Sequence, residues 1–288
     1  MTAKNKARLQ MAFSAAMFGT IPLFVRNIPL ASGEVALYRA VIATLLIGGC
    51  LAFSKMRISA SVIKKELPLL LLSGAAMGFN WILLFEAYRY TTVSAATLSY
   101  YFAPVLVTLA CPVLFRERLT GRQVLCFAMS TAGVVLIVAA GESGSAENHL
   151  LGIALGLCAA VLYAGVVLTN KFIRNVDGIP RTFFQFFSAA VVLCPYVLLT
   201  DGVNLGGLDA FGWINLMILG LVHTGVTYFL YFSSLKELPG QEAAVLSYMD
   251  PVVAIIISVL LLGESITAVQ LAGGAMVLVF TLWNELGS

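Results

Sequence analysis

Two ten-residue stretches of this chain match each other at a distance of 147 residues. Residues 96–105 read ATLSYYFAPV, and residues 243–252 read AAVLSYMDPV. The two stretches share an alanine, a tyrosine and a Pro-Val dipeptide at the same positions. The same offset extends outward without a gap, so residues 73–140 align with residues 220–287. A match of this length predicts a duplicated chain with one half at 1–140 and the other at 149–288.

Further identities support the duplication, and they include charged and helix-capping residue types. The pairs are Gly78 with Gly225, Phe85 with Phe232, Glu117 with Glu264, Thr120 with Thr267 and Gln123 with Gln270. A weaker match at an offset of 145 pairs Gly33 with Gly178.

The composition indicates that lipid is the solvent of this chain. Hydrophobic residues make up 60% of it and charged residues 11%, with a mean hydropathy of +0.96. A soluble domain carries about 25% charged residues. A spanning helix needs about 20 mostly apolar residues. Ten such segments, numbered spans 1 to 10 in chain order, are predicted at 9–27, 33–53, 66–86, 91–114, 121–140, 149–173, 180–200, 211–233, 240–262 and 267–285.

The distribution of positive charge predicts the orientation of these spans. Most of the 17 Lys and Arg residues lie in the N-terminal segment and the even-numbered connections, whereas the odd-numbered connections hold only Arg26 and Arg89. Positive charge accumulates on the cytoplasmic side. Both termini are therefore expected in the cytoplasm, and the chain in the cell membrane. Because each half has five spans, the second half is expected to be inverted relative to the first.

Inverted repeats are typical of alternating-access carriers, whose substrate site lies near the membrane midplane between the halves. The predicted fold is therefore an all-α membrane protein with ten transmembrane helices in two inverted five-helix repeats. Duplication of this kind also occurs in channels and scramblases, so that alternative stays open, although no ring of charges or filter-like loop is visible.

The residues at the repeat junctions resemble those of one transporter family. They are Phe85–Ala96, Pro104-Val105 and Glu117-Arg118-Leu119-Thr120 with Gln123, together with the second copy at residues 243–264. They resemble the EamA branch of the drug/metabolite transporter superfamily over essentially the whole chain. The resemblance implies a ten-helix carrier of small metabolites, often amino acids or related compounds. It does not imply one substrate or one direction of transport.

Two ionisable residues lie mid-span at positions where the other repeat has alanine. Asp250 in span 9 corresponds to Ala103, and His223 in span 8 corresponds to Ala76. Ionisable groups within a membrane are costly and are functional candidates by default. Asp250 is interpreted as a proton-coupling site or an anchor for a substrate amine; alternatively it bonds backbone groups freed by Pro251. His223 is interpreted as a proton relay or as a hydrogen-bonded core residue.

A third mid-span charge, Arg39, lies about two turns into span 2. A guanidinium suits a substrate carboxylate, which it can bind with two parallel hydrogen bonds. The alternative is a structural or gating ion pair with Glu34 or Glu86, which the topology places at the same end of the molecule. The sequence favours that ion pair.

Aromatic and polar residues near the middle of the spans are predicted to line the substrate cavity. They are Trp81, Tyr101, Tyr163, Tyr228, Tyr248, Asn80 and Thr227. Mid-span hydroxyls need polar partners, and aromatic rings can hold an ammonium group by cation–π attraction. Tyr248 and Asp250 are two residues apart and would face different sides of a regular helix. Both can line one cavity only if Pro251 breaks the helix.

An intramembrane enzyme is the main rival class. Residues 141–144 read GESG, a serine-nucleophile pattern, and His149 lies nearby, but the serine falls in a connection rather than in a span. Two histidines make a histidine-based metal site improbable, and the five cysteines lie within apolar spans. No cofactor, metal or nucleic-acid partner is predicted. The expected partners are a small-molecule substrate and membrane lipid, for either a monomer or a homodimer.

Overall fold

The structure is a computed structural model, and it describes residues 3–53, 60–115, 119–140, 148–176, 178–235 and 237–286. Within these ranges every regular element is helical, as the composition predicts. The spans are Ala3–Gly19 with Ile21–Val25, Ser32–Phe53, Ala60–Tyr90, Val93–Tyr100 with Ala103–Phe115, Gly121–Ala139, His149–Phe172, Gly178–Thr200, Ala210–Leu235, Gly240–Ser247 with Met249–Leu260, and Ala268–Glu285.

Eight of these ten spans are long and apolar enough to cross a membrane by length and composition. Span 9 is one exception, and its apolar helix among the described residues is the shorter Val245–Leu260. Span 10 is the other exception, and its last turn carries Asn284 and Glu285. Large apolar side chains such as Leu45, Phe53 and Leu199 are exposed on the outer faces of the bundle, where lipid takes the place of water.

The two halves pack against each other in the same way. Span 6 packs on spans 3 and 4, and span 1 packs on the corresponding spans 8 and 9. Span 5 packs along its partner span 10, where Gly133 and Gly273 face each other. A Cβ on either glycine would lie 2.6 Å from the carbonyl oxygen of the other. Small residues at this contact therefore let the two backbones approach closely.

The connections between spans lie at the two ends of the bundle, and polar contacts show which connections share an end. At one end, here called the odd-loop end, the Arg26 side chain contacts Tyr88, Thr91 and Glu264. At the other, the even-loop end, Arg8 pairs with Glu242. Thr267 begins span 10 at the odd-loop end, whereas its repeat partner Thr120 begins span 5 after an even-numbered connection. Equivalent residues thus lie at opposite ends, which is the inverted relation predicted from the span count.

Four spans depart from regular α-helix. Spans 1, 4 and 9 are each divided in two, and span 8 contains a π-helical segment at Ile218–Val226. The corresponding span 3 is continuous from Ala60 to Tyr90. In the π segment the side chains of His223, Thr224 and Thr227 all bond carbonyls five residues earlier. π-helical turns within α-helices are frequent at functional sites.

Candidate functional site

The breaks in spans 4 and 9 occupy equivalent positions and have the same cause. Span 4 is interrupted at Tyr101 and Phe102, and span 9 at Tyr248. Proline has no N–H to donate, and its ring clashes with the carbonyl four residues earlier. Pro104 and Pro251 therefore end the preceding helix near residues 100 and 247. Each proline then lies in the first turn of the following helix, where it is tolerated.

The break in span 9 lets Tyr248 and Asp250 both lie near Tyr101, whereas a regular helix would turn them to different sides. The Tyr101 hydroxyl donates a hydrogen bond of 2.6 Å to Oδ2 of Asp250, and the rings of Tyr101 and Tyr248 lie 6.0 Å apart. Asp250 is in the first turn of Met249–Leu260, where the helix dipole favours negative charge. The local break proposed from the sequence is thus present, although it begins at Tyr248 rather than at Pro251 itself.

The Asp250 carboxylate is only partly satisfied by hydrogen bonds. The side chain is surrounded by protein, yet part of its surface is accessible. Its other oxygen, Oδ1, has no hydrogen-bond partner among the described residues and is not fully enclosed. On the opposite helix of span 1, Gly19 lies directly against the Asp250 main chain, where a Cβ would overlap the Asp250 carbonyl oxygen. One carboxylate oxygen is therefore held by Tyr101 and the other is open.

Tyrosines of spans 4, 6 and 8 interact electrostatically with this carboxylate. Tyr100 and Tyr163 have ring centroids 5.4 Å apart, and Tyr228 packs edge-on against Phe18 at 4.9 Å and Phe186 at 5.2 Å. The Tyr163 side chain lies near Asp250 although its residue is 39% exposed. The predicted residues Tyr101, Tyr163, Tyr228 and Tyr248 are thus brought to one place, which we call the tyrosine cage.

The prediction that Arg39 pairs with Glu34 or Glu86 is wrong. Glu34 accepts hydrogen bonds from Asn204 and Tyr38, and Glu86 accepts one from Ser32 and pairs with Arg89. Both carboxylates lie at the odd-loop end of the bundle. Arg39 is seven residues beyond Ser32, which is about 10 Å along a helix. Within the described ranges, Arg39 has no ion pair.

Arg39 instead lies over an aromatic ring in the interior. Its guanidinium carbon is 4.3 Å from the Trp81 ring centroid, and its Nε donates a hydrogen bond of 2.6 Å to Thr224. Trp81 therefore packs against the Arg39 guanidinium rather than lying next to Asp250. Its ring connects to the tyrosine cage through Phe186, which lies 5.5 Å away.

Two residues predicted to line the cavity are buried elsewhere. The Asn80 amide donates to the Ala159 carbonyl at 2.6 Å and joins span 3 to span 6. The Thr227 hydroxyl donates to the Val222 carbonyl at 2.9 Å within the π segment. Each side chain is 1% exposed. The polar group of Asn80 is thus satisfied by a carbonyl of another span, and that of Thr227 by a carbonyl of its own helix.

His223 is fully enclosed. Its exposed fraction is 0%, Nε2 lies 2.7 Å from the Thr20 hydroxyl, and Nδ1 lies 3.2 Å from the Ile218 carbonyl. The Phe24 ring covers the imidazole at 4.6 Å. These contacts favour the core alternative over a proton relay.

A polar cluster, here called the latch, closes the odd-loop end. Glu264 pairs with Arg26 at 2.5 Å, accepts a hydrogen bond of 2.8 Å from the Val93 backbone, and also accepts one from Ser258. Ser258 in turn accepts a hydrogen bond of 2.8 Å from Ser94. The latch thus joins the first repeat to the second. The repeat partner of Glu264, Glu117, lies outside the described residues.

A cavity of about 340 Å³ lies next to the latch, lined by Arg26, Arg89, His149, Glu264 and Gln270, among others. His149 is held there by a 2.7 Å contact between its Nδ1 and the Thr91 hydroxyl. The serine pattern at 141–144 lies outside the described residues. In the ranges that the structure does describe, no group of three His, Cys, Asp or Glu residues is placed to hold a metal ion.

Three residues of the site had no strong sequence signal. Arg26 falls at a span end, Tyr88 lies within a motif attributed to the family, and Glu285 ends the last span. Glu285 interacts electrostatically with Tyr163, Tyr231 and Tyr248, which places a second carboxylate toward the even-loop end of the cage. Like Asp250, Glu285 is a carboxylate whose repeat partner is apolar, in this case Val138.

Comparison with known proteins identifies the class of molecule that carries this site. The model of the EamA-like transporter family matches residues 5–139 and again residues 150–284. The chain belongs to the EamA-like transporter family. This EamA-like protein is therefore a multi-pass membrane transporter of the drug/metabolite transporter superfamily, and the enzyme alternative is set aside. The predicted repeat architecture is confirmed.

Relatives of this EamA-like transporter come from bacteria and archaea. It is 30% identical to the uncharacterized transporter YxxF of Bacillus subtilis, over 95% of this chain and 88% of that protein. It is 28% identical to an uncharacterized transporter of Archaeoglobus fulgidus, over 96% and 95%. A probable amino-acid metabolite efflux pump of Salmonella typhimurium is 28% identical over 60% of each chain. A crystal structure with 20% identity shares the fold, with a TM-score of 0.64 over 96% of this chain and 95% of that one.

Proposed function

We propose that this EamA-like protein is a secondary transporter of a small amine-bearing metabolite, such as an amino acid, which it moves across the cytoplasmic membrane by alternating access. The observation that carries the proposal is the Asp250 carboxylate, one oxygen of which accepts a hydrogen bond from Tyr101 while the other has no hydrogen-bond partner among the described residues. Within the described residues no cation neutralises it. A substrate ammonium group is the complementary partner.

The rings around Asp250 support the same chemistry. An ammonium over the face of an aromatic ring is attracted by the ring quadrupole. Tyr100, Tyr101, Tyr163 and Tyr228 lie close to the carboxylate, so a cation between them would meet both a charge and several ring faces. The Tyr248 hydroxyl is buried without a hydrogen-bond partner among the described residues, and a substrate polar group would satisfy it.

The latch and the paired breaks support alternating access. The latch holds the two repeats together at the odd-loop end, which the charge distribution assigns to the outside. The site at Asp250 would then be closed to the outside in this conformation. Opening requires spans 4 and 9 to separate at the latch, and both spans are already interrupted at Tyr101 and Tyr248.

Proton coupling follows from the same carboxylate. A carboxylate that binds either a proton or a substrate ammonium, but not both, links the movement of the two in opposite directions. We therefore assign proton coupling to Asp250. Relatives from Salmonella typhimurium and Escherichia coli are named probable amino-acid metabolite efflux pumps, and this name supports an amino-acid substrate.

The test is transport by purified protein in proteoliposomes. Counterflow of a panel of labelled amino acids and amines should identify a substrate whose uptake is accelerated by the same compound inside. Asp250→Asn should reduce that transport by about 100-fold, as expected when one partner of a buried charge pair is lost. Asp209→Asn is the matched control, because Asp209 caps span 8 away from the cage and asparagine caps equally well.

Three results would contradict the proposal. Wild-type transport by Asp250→Asn would remove the role given to the carboxylate. Absence of any transported amine or amino acid would remove the substrate class. Flux without counterflow stimulation would favour a channel or scramblase over a carrier.

A further inference from the structure

The Arg26–Glu264 ion pair joins two spans that other contacts already hold together. Arg26 lies at the end of span 1 and Glu264 follows span 9, and their charged groups are 2.5 Å apart. At the even-loop end, Arg8 of span 1 pairs with Glu242 of span 9. Between these ends, Gly19 lies so close to span 9 that a Cβ there would be 2.4 Å from a main-chain carbonyl oxygen. Span 1 is therefore fixed to span 9 along its length, although the two spans belong to different repeats.

Span 8 is fixed to the same group. The hydroxyl of Thr20, at the break in span 1, lies 2.7 Å from Nε2 of His223 in the π segment. The Phe18 ring of span 1 packs edge-on against the Tyr228 ring of span 8, with the ring centroids 4.9 Å apart. Spans 1, 8 and 9 thus form one packed unit, which we call the 1-8-9 unit.

Spans 3, 4 and 6 form the corresponding unit, which we call the 3-4-6 unit. Asn80 of span 3 donates a hydrogen bond of 2.6 Å to a main-chain carbonyl of span 6. A Cβ on Gly152 of span 6 would lie 2.6 Å from the side chain of Thr91, in the turn between spans 3 and 4. A Cβ on Gly156 would lie 3.1 Å from the carbonyl oxygen of Ala96 in span 4. Each unit therefore contains one span that comes from the other repeat.

The two units meet at the odd-loop end through main-chain groups of the turn between spans 3 and 4. The Arg26 guanidinium donates hydrogen bonds to the carbonyls of Tyr88 and Thr91, at 2.8 and 3.1 Å. The Glu264 carboxylate accepts a hydrogen bond of 2.8 Å from the Val93 N–H. The ion pair thus presents donors to two carbonyls and an acceptor to one N–H. We call these three main-chain contacts the seam.

We propose that the outer end opens along the seam with the Arg26–Glu264 pair intact, so that span 1 moves with spans 8 and 9 of the other repeat. This inference rests on the alternating access in the proposed function and identifies the contacts that break. Separating the ion pair would leave two partly buried charges without partners, which is strongly unfavourable. Separating the seam leaves the two charges paired and releases neutral main-chain groups, which water can hydrogen-bond once the outer end is open. The two units can therefore part without any separation of charge.

The experiment measures how often the outer end opens, with a cysteine beneath the latch as the reporter. Ala254 is 1% exposed and lies about one helical turn beyond Asp250, toward the latch. In Ala254→Cys, a membrane-impermeant maleimide added to intact cells should react with this cysteine only while the outer end is open. The wild-type chain, with its five native cysteines, gives the background labelling. The same labelling of inverted membrane vesicles shows which end of the bundle has opened.

Two further variants, each made in the Ala254→Cys protein, break the ion pair and the seam separately. Glu264→Gln removes the ion pair but keeps an oxygen that can accept from the Val93 N–H, so the labelling rate should stay within about threefold of Ala254→Cys alone. Val93→Pro keeps the ion pair but removes the N–H. Its labelling rate should rise about tenfold, because a hydrogen bond to a charged group is lost from the closed state.

Proline suits position 93. Val93 is the first residue of its helix, where proline is favoured, and Thr92 before it is already extended, with φ −64° and ψ 149°. Val93→Ala is the matched control, because it shortens the buried side chain and keeps the N–H; its labelling rate should match that of Ala254→Cys alone.

Thermal unfolding in detergent shows whether each variant is folded. If Val93→Pro is not, the double variant Arg26→Glu with Glu264→Arg takes its place. This exchange keeps an ion pair but turns a carboxylate toward the two carbonyls and a guanidinium toward the Val93 N–H. It should also raise the labelling rate about tenfold or more.

The outcomes separate this inference from the proposed function. Faster labelling in Glu264→Gln would overturn it, because the ion pair itself would then be the gate. Unchanged labelling in Val93→Pro, or equally fast labelling in Val93→Ala, would also overturn it, since the N–H would not hold the outer end closed. Labelling needs no transported substrate, so a failure to find a transported amine overturns the proposed function and not the seam. Faster labelling in inverted vesicles instead of cells would overturn the assigned orientation and leave the seam standing.

Discussion

Tyr101 of the first repeat donates a hydrogen bond of 2.6 Å to Oδ2 of Asp250 in the second repeat. The two residues lie at the helix breaks that Pro104 and Pro251 impose on symmetry-related spans. Two residues of different type, Tyr101 and Asp250, therefore come into contact where the symmetry-related breaks meet. The tyrosine is shared by both repeats, whereas the carboxylate occurs in the second alone, opposite Ala103.

Tyr101→Phe should lower transport efficiency about tenfold. The change removes one hydrogen bond to a charged group, which is worth about 1.5–3 kcal/mol. Substrate uptake kinetics in proteoliposomes measure the effect. Tyr196→Phe is the control, because Tyr196 lies in span 7 and packs on Phe79, away from the cage. Equal rates for the wild type and Tyr101→Phe would show that Asp250 does not depend on this contact.

A disulfide across the latch should stop transport reversibly. The hydroxyl oxygens of Ser94 and Ser258 are 2.8 Å apart, so cysteines at these two positions should bring their sulfur atoms close together. The double variant Ser94→Cys with Ser258→Cys should lose transport on oxidation and regain it with dithiothreitol. Each single variant, oxidised in the same way, controls for the five native cysteines. Full transport by the cross-linked protein would show that spans 4 and 9 need not separate here.

His223→Gln should destabilise the protein without changing the pH dependence of transport. The imidazole contacts Thr20 and the Ile218 carbonyl and is fully enclosed, so its loss leaves buried groups unpaired at a cost of about 1–3 kcal/mol. Transport rates across a pH series, with thermal unfolding in detergent, measure both effects. Asp250→Asn should instead flatten the pH profile. The opposite pattern would assign proton coupling to His223.

Thr120→Ala should destabilise the protein by about 1 kcal/mol without affecting substrate affinity. Thr120 and Gln123 form a capping box that satisfies the first amides of span 5. Thermal unfolding in detergent measures the change, and substrate KM is the second readout. Thr131→Ala in the same span should cost less, because that hydroxyl only bonds a carbonyl already within the helix. Equal destabilisation by both variants would show that the capping box contributes nothing.

Sequence reasoning was reliable for the architecture and for residues at the repeat breaks. Apolar length predicts spans because lipid gives unpaired peptide groups no partner. Pro104 and Pro251 break their helices because proline removes a backbone hydrogen bond, although Pro68, Pro112 and Pro195 lie within continuous helices. Asp250, Tyr101 and Tyr248 are therefore found together as expected. The reasoning was weaker for mid-span polar residues such as Asn80 and Thr227, because a neighbouring backbone carbonyl satisfies them without any signal in sequence.

The sequence by itself determined that the chain spans the membrane ten times as two opposed halves, and that Asp250 is an unmatched charge at a break. These features depend on local composition, on proline chemistry and on comparing the chain with itself. The tertiary structure decided the partners of the long charged side chains. Arg39 lies over Trp81 rather than beside Glu34 or Glu86, and Arg26 reaches Glu264 across the repeats. Side chains of this length choose among several neighbours, and only the packing of distant spans brings one of those neighbours within reach.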